Sequence, residues 1–210
     1  MVAVVLVVTP GLAAAHVTVH PNHLPAGATD VELTFRCPNE RNDATVTELR
    51  VFLPVRTPLL GVLTDPAPGW SAVATTTRLA RPVRTDDGEV TSAVTEVAWR
   101  ATGSGTPPGQ YADFTIAVGT MPDTVGTIAF KALQTYSNGD VAAWIQIADA
   151  LDEDPPMPAP VLTLTAASPP SSPASPGSSS TSTYLAIAAL CVALVALGGV
   201  GYLLVRRRPS

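Results

Sequence analysis

The feature that most restricts how this chain can fold is an alternation of apolar and polar residues with a period of two, repeated through its middle. In VELTFRC, Val31, Leu33, Phe35 and Cys37 fall on one face, and in TELRVFLP, Leu49, Val51 and Leu53 do the same. TSAVTEVAW and DFTIAV are further runs rich in β-branched and aromatic residues. Such a period belongs to strands with one buried face, and no segment before residue 184 carries the 3.6-residue stripe of an amphipathic helix. Turn signals fall between the runs, among them Pro25-Ala26-Gly27, Asp86-Asp87-Gly88, Pro107-Pro108-Gly109 and Ser137-Asn138-Gly139. About eight or nine short strands at this spacing predict an all-β domain, an immunoglobulin-like antiparallel β-sandwich. IAFKALQTY-SNG-DVAAWIQI predicts a hairpin that turns at Asn138-Gly139 and carries Trp144 near the centre of its second strand.

At both ends of the chain the alternation gives way to other patterns. Residues 2–8 (VAVVLVV) are apolar, and Ala13-Ala14-Ala15 supplies the small residues a signal peptidase accepts, so residues 1–15 are predicted to be a signal peptide cleaved before His16. No Lys or Arg precedes that run, a departure from the usual pattern. The folded ectodomain is expected over 16–151. Residues 152–183 turn to Pro, Ser, Ala and Thr, which have little to bury, and predict a disordered tether. Tyr184 to Val205 contains no charge and is long enough to be one transmembrane helix. Arg206, Arg207 and Arg208, in a tail of residues 206–210, mark the cytoplasmic side. The expected location is the cell membrane, single-pass, with the folded domain extracytoplasmic.

Of the two cysteines, Cys37 lies in the domain and Cys191 in the apolar span, so no disulfide framework is available and stability has to come from a core. All 17 acidic residues precede residue 155, whereas three of the 12 basic ones are the tail arginines. An ectodomain this acidic does not suit nucleic acid and is compatible with cations.

If cleavage falls before His16, that residue offers a free α-amine and imidazole Nδ1, spaced to chelate one metal ion. Nitrogen donors in this arrangement favour Cu(II). Glu40, in RCPNE, ends the strand that follows the strand of His16; if the two run antiparallel, both residues reach the same end of the sandwich. On spacing alone the better reading of Pro38-Asn39-Glu40 is a plain turn with a solvated Glu40. His20 is about 13 Å along an extended strand from His16, too far to share an ion, and both it and His23 read as surface or turn residues. Trp70 and Trp99 read as packing. Gln134, Thr135 and Tyr136 either support the site or simply pack.

AHVTVHP, PNE at 38–40, PGW at 68–70, PPGQYADFTI at 107–116 and ALQTYSNGDVAAW at 132–144 resemble, in this order, the YcnI-like domain family of extracytoplasmic copper-binding proteins. The resemblance implies a β-sandwich that binds Cu(II) through a single-histidine brace at His16, with Glu40 as acidic ligand and Trp144 close to the metal. It further implies a copper metallochaperone or reservoir, not an enzyme, serving a membrane copper transporter of CopC/CopD type. Cys37 departs from the family pattern, which carries an aliphatic residue there; beside Leu33 and Phe35 it reads as a small buried hydrophobe. Two other functions compete. A surface-displayed adhesion domain needs no metal, and a histidine-brace copper oxidoreductase needs a second histidine, although none follows His23.

Overall fold

The computed structural model describes residues 16–65, 67–148 and 155–167, which form twelve strands. In chain order these are β1 (Thr18–His20), β2 (His23–Pro25), β3 (Thr29–Pro38), β4 (Val46–Phe52), β5 (Leu63–Thr64), β6 (Trp70–Thr85), β7 (Gly88–Ala101), β8 (Tyr111–Thr120), β9 (Gly126–Ala129), β10 (Lys131–Tyr136), β11 (Val141–Trp144) and β12 (Val161–Thr165). The predicted signal peptide, transmembrane helix and tail lie outside the described residues, as does the tether from 168 to 183. Among the described residues no helix is long and apolar enough to cross a membrane.

The strands form a four-stranded sheet ordered β1-β3-β8-β5, a five-stranded sheet ordered β11-β10-β4-β7-β6, and a three-stranded sheet ordered β2-β12-β9. The inward faces are those the period of two predicts. Leu33, Phe35 and Cys37 of β3, Leu49 and Val51 of β4, and Phe114, Ile116 and Val118 of β8 are all buried. Between them Trp99 lies against Phe114 with ring centroids 5.3 Å apart, and Phe35 meets Phe130 edge-on at 5.3 Å. Trp70 closes on Phe114 edge-on at 4.8 Å, so both remaining tryptophans pack as expected.

Two expectations need correction. The composition predicts a tether from residue 152, but β12 pairs with β9 and β2 and sinks Leu162 and Leu164 into the core. The Pro-rich composition of 152–183 hides a short local alternation, VLTLT, and burial of its two leucines outweighs the average character of the segment. The sandwich is also not wholly antiparallel, because β12 runs parallel to β2, with Leu164 opposite Leu24. Every strand finds its partners, and the core its contacts, within residues 16–167, so this stretch is a self-sufficient folding unit.

Candidate metal centre

The register of β1 against β3 decides where His16 lies. Thr18 is opposite Arg36 in an antiparallel pair, and the same register run back by two residues sets His16 level with Pro38, at the end of β3. The condition on which Glu40 could approach His16 is therefore met. Asn39 fixes the loop that follows. Its side chain is buried, and its Nδ2 donates to the carbonyls of Ala44 and Thr106 at 2.9 Å each, while Oδ1 accepts the Arg41 N–H at 3.1 Å. Asn39 N–H also donates to Gln110 O, and its carbonyl accepts from Gly109 N–H, each at 2.8 Å. Gly105, with φ of 77°, allows the 105–106 backbone to pass so close to the Val46 carbonyl that a Cβ would collide with it. A turn anchored by the buried Asn39 thus carries an exposed Glu40.

The hairpin supplies the other wall. β10 and β11 pair as predicted across Ser137–Asp140, with Gly139 at φ of 90° and Ala132 opposite Trp144. Gln134 occupies an inward position between Ala132 and Tyr136, where the pleat would ordinarily put an apolar side chain. It is fully buried and satisfied at both ends: Nε2 donates to Pro38 O at 2.8 Å, and Oε1 accepts the Trp144 indole N–H at 2.9 Å. The indole is thereby held relative to the end of β3. The His16 ring lies against it, centroids 5.5 Å apart and planes inclined at 60°.

Glu40 and Trp144 line one open cavity of about 500 Å³, together with Pro38, Arg41, Tyr136 and Met157. The charge balance there favours a cation. Arg41, next to Glu40, is engaged elsewhere, by Asp140 at 2.7 Å and Asp43 at 2.8 Å, and its guanidinium lies over the Tyr136 ring at 4.9 Å. The Arg41 hydrogen bond holds both aspartates below the ordinary carboxylate range. Among the described residues Glu40 has no ion-pair partner of its own. Burial raises the Tyr136 phenol above its usual range; Cys37, Glu40 and Asp43 add to the effect and Arg41 opposes it.

The structure thus gathers His16, Glu40 and Trp144 around one end of the sandwich and leaves the other candidates out. His20 shares a hydrogen bond with Thr18 Oγ1, His23 bonds Asn22 Oδ1, and both histidines are exposed away from the cavity lining. Cys37 is fully buried, and burial pushes its thiol up to about 12, which makes it core filling and no thiolate donor. Among the described residues no three His, Cys, Asp or Glu side chains come together to hold a metal ion. A centre built on His16 and Glu40 therefore needs a further donor of another kind, such as a main-chain amine or a thioether. Sequence reasoning missed the engagement of Arg41 and the presence of Met157. For Gln134 the available signal was a polar residue at an inward position of an alternating strand.

A family model described as a domain of unknown function (DUF1775) matches residues 16–164. The chain belongs to this family. The YcnI-like resemblance of its motifs is thereby borne out, and the match ends within β12, in accord with the longer domain seen in the structure. The chain is also similar to a Bacillus subtilis (strain 168) protein named copper-binding protein CutI, 31% identical over 155 residues. The aligned stretch is 74% of this chain and 65% of the relative, so the chain spans slightly less than two thirds of that protein's length. A crystal structure of an uncharacterized protein from Nocardia farcinica, which has an immunoglobulin-like fold, is 36% identical with a TM-score of 0.55. That match covers 72% of this chain and 99% of the other, and with it the immunoglobulin-like sandwich is established.

Proposed function

We propose that this family member is an extracytoplasmic copper-binding protein, tethered to the membrane, that carries or stores Cu(II) in a single-histidine brace. Processing before His16 would free its α-amine to chelate the ion together with its imidazole. Glu40 would add a carboxylate, and Trp144 would shield the ion. The observation that carries this reading is the His16 ring seated on Trp144 in the wall that also presents the unpaired Glu40. The donor set suits copper: imidazole and amine nitrogens with one carboxylate oxygen match the N,O preference of Cu(II). Because the Trp144 N–H is already committed to Gln134, only the face of the indole is available to an ion. The name of the Bacillus relative and the start of the family match at His16 support the same assignment.

Within this reading the protein binds and transfers copper and is not an enzyme. An exposed carboxylate and a half-buried histidine can be displaced one at a time by an incoming ligand, which suits hand-over to a membrane copper transporter of CopC/CopD type. A flexible tether would raise the local concentration of the domain near such a partner.

The test is a Cu(II) titration of residues 16–167 released from a fusion so that His16 comes first, set beside the same protein with one alanine left ahead of His16. The reading expects a stoichiometric complex whose affinity falls by at least about a hundredfold when the alanine blocks the chelating amine, since each tenfold step is only about 1.4 kcal/mol. Equal affinities would refute the brace.

A further inference from the structure

We infer that the Met157 thioether is a ligand for Cu(I) in the cavity it shares with Glu40 and Trp144, so that the site accepts the reduced ion as well as Cu(II). The inference rests on the copper-binding reading above and extends it to a residue outside the brace.

Met157 belongs to the stretch whose composition predicts a tether, yet it is held in place with unusual completeness. Its N–H donates to Gln146 Oε1 at 2.7 Å, its carbonyl accepts the Gln146 N–H at 3.0 Å, and Ala159 N–H donates to Gln146 O at 2.7 Å. A parallel bridge between Gln146 and Pro158 completes the clamp. Pro155, Pro156 and Pro158 stiffen the backbone on both sides. Gln146 lies two residues beyond Trp144, so the clamp ties Met157 to the strand that carries the indole. The outcome is a methionine 37% exposed and lining the cavity wall, whereas Met121, the other methionine among the described residues, is buried in the core.

The chemistry follows from the donors. Cu(I) is soft and binds thioether and imidazole in preference to carboxylate, while Cu(II) prefers nitrogen and oxygen donors. Both kinds are close together: Glu40 and Met157 line the same cavity as Trp144, and His16, common to both sets, packs against the Trp144 ring. Copper delivered as Cu(I) would then take the thioether where copper delivered as Cu(II) takes the carboxylate. The two other sulfurs among the described residues, those of Cys37 and Met121, are buried in the core.

The experiment compares residues 16–167, starting at His16, with the variant Met157→Leu, which removes the sulfur while keeping a similar volume. A Cu(II) titration of the wild-type protein comes first; failure to form a complex there refutes the underlying copper reading. Cu(I) affinity is then measured under ascorbate by competition with a chromophoric Cu(I) chelator, and X-ray absorption of the Cu(I) complex is recorded. Met157→Leu should weaken Cu(I) binding by at least about tenfold, the lower end of what loss of a supporting group costs a metal site, with a smaller effect on Cu(II). The copper–sulfur scattering of the wild type should disappear in the variant. Cu(II) binding by the wild type combined with no Cu(I) binding, with equal Cu(I) affinities in the two proteins, or with a sulfur signal that survives Met157→Leu, overturns the role of Met157 and leaves the brace standing.

Discussion

Replacing Gln134 by leucine should loosen the candidate metal centre without touching any of the proposed ligands. The side chain is fully buried and makes two hydrogen bonds, one to Pro38 O and one from the Trp144 indole. Leucine fills a similar volume but satisfies neither partner. Each buried polar group left without a partner costs about 1–3 kcal/mol, and the half-buried Pro38 carbonyl can recover part of this from water, so the loss comes to about 2–4 kcal/mol. Additional apolar burial by leucine offsets about 1 kcal/mol. Urea unfolding of residues 16–167 should therefore show a net loss of about 1–3 kcal/mol, read as a lower midpoint with an unchanged slope. Trp144→Phe removes the same hydrogen bond from its other end. The two substitutions should consequently be non-additive, with a coupling energy of about 0.5–3 kcal/mol. Cu(II) affinity should fall in Gln134→Leu because the indole and the Glu40 loop are no longer tied together. A change in stability below about 0.5 kcal/mol, additive with Trp144→Phe and without effect on copper, would refute the clamp.

Glu40→Gln should weaken Cu(II) binding by about tenfold or more while the unfolding midpoint moves by less than about 0.5 kcal/mol, because Glu40 is an exposed side chain on a turn that Asn39 holds; a large loss of stability would show that Glu40 is structural. The Cys37 thiol, buried and pushed up to about 12, should resist alkylation near pH 8 in the native protein and react once the chain is unfolded, as read by intact mass. A protein ending at residue 151 loses the buried Leu162 and Leu164 of β12, worth about 3–6 kcal/mol together. Compared with a total stability of about 5–15 kcal/mol, that should leave it largely unfolded by circular dichroism, whereas one ending at 167 folds; equal unfolding midpoints would contradict the assignment of β12 to the domain.

Much of this arrangement was legible in the chain because strands with one buried face write their register into the sequence. Leu33, Phe35 and Cys37 are buried where the period of two puts them, and Asn138-Gly139 turns the hairpin that brings Trp144 to the site. The approach of His16 and Glu40 to one end of the sandwich followed from antiparallel pairing of β1 and β3. What escaped was either non-local or masked by composition. β12 is a five-residue alternation inside a Pro-rich stretch, and its parallel partner β2 is separated from it by most of the domain. The diversion of Arg41 by Asp43 and Asp140 is a contact between two loops, which leaves no periodic trace. Met157 reached the cavity through the Gln146 clamp, a pairing that no local pattern announces.

The central claim is that copper is held by the mature residue His16, and electron paramagnetic resonance of the stoichiometric Cu(II) complex of residues 16–167 tests it most directly. The account predicts hyperfine couplings from an imidazole and an amine nitrogen, with the imidazole coupling lost in His16→Ala. A spectrum that is unchanged in His16→Ala would contradict it.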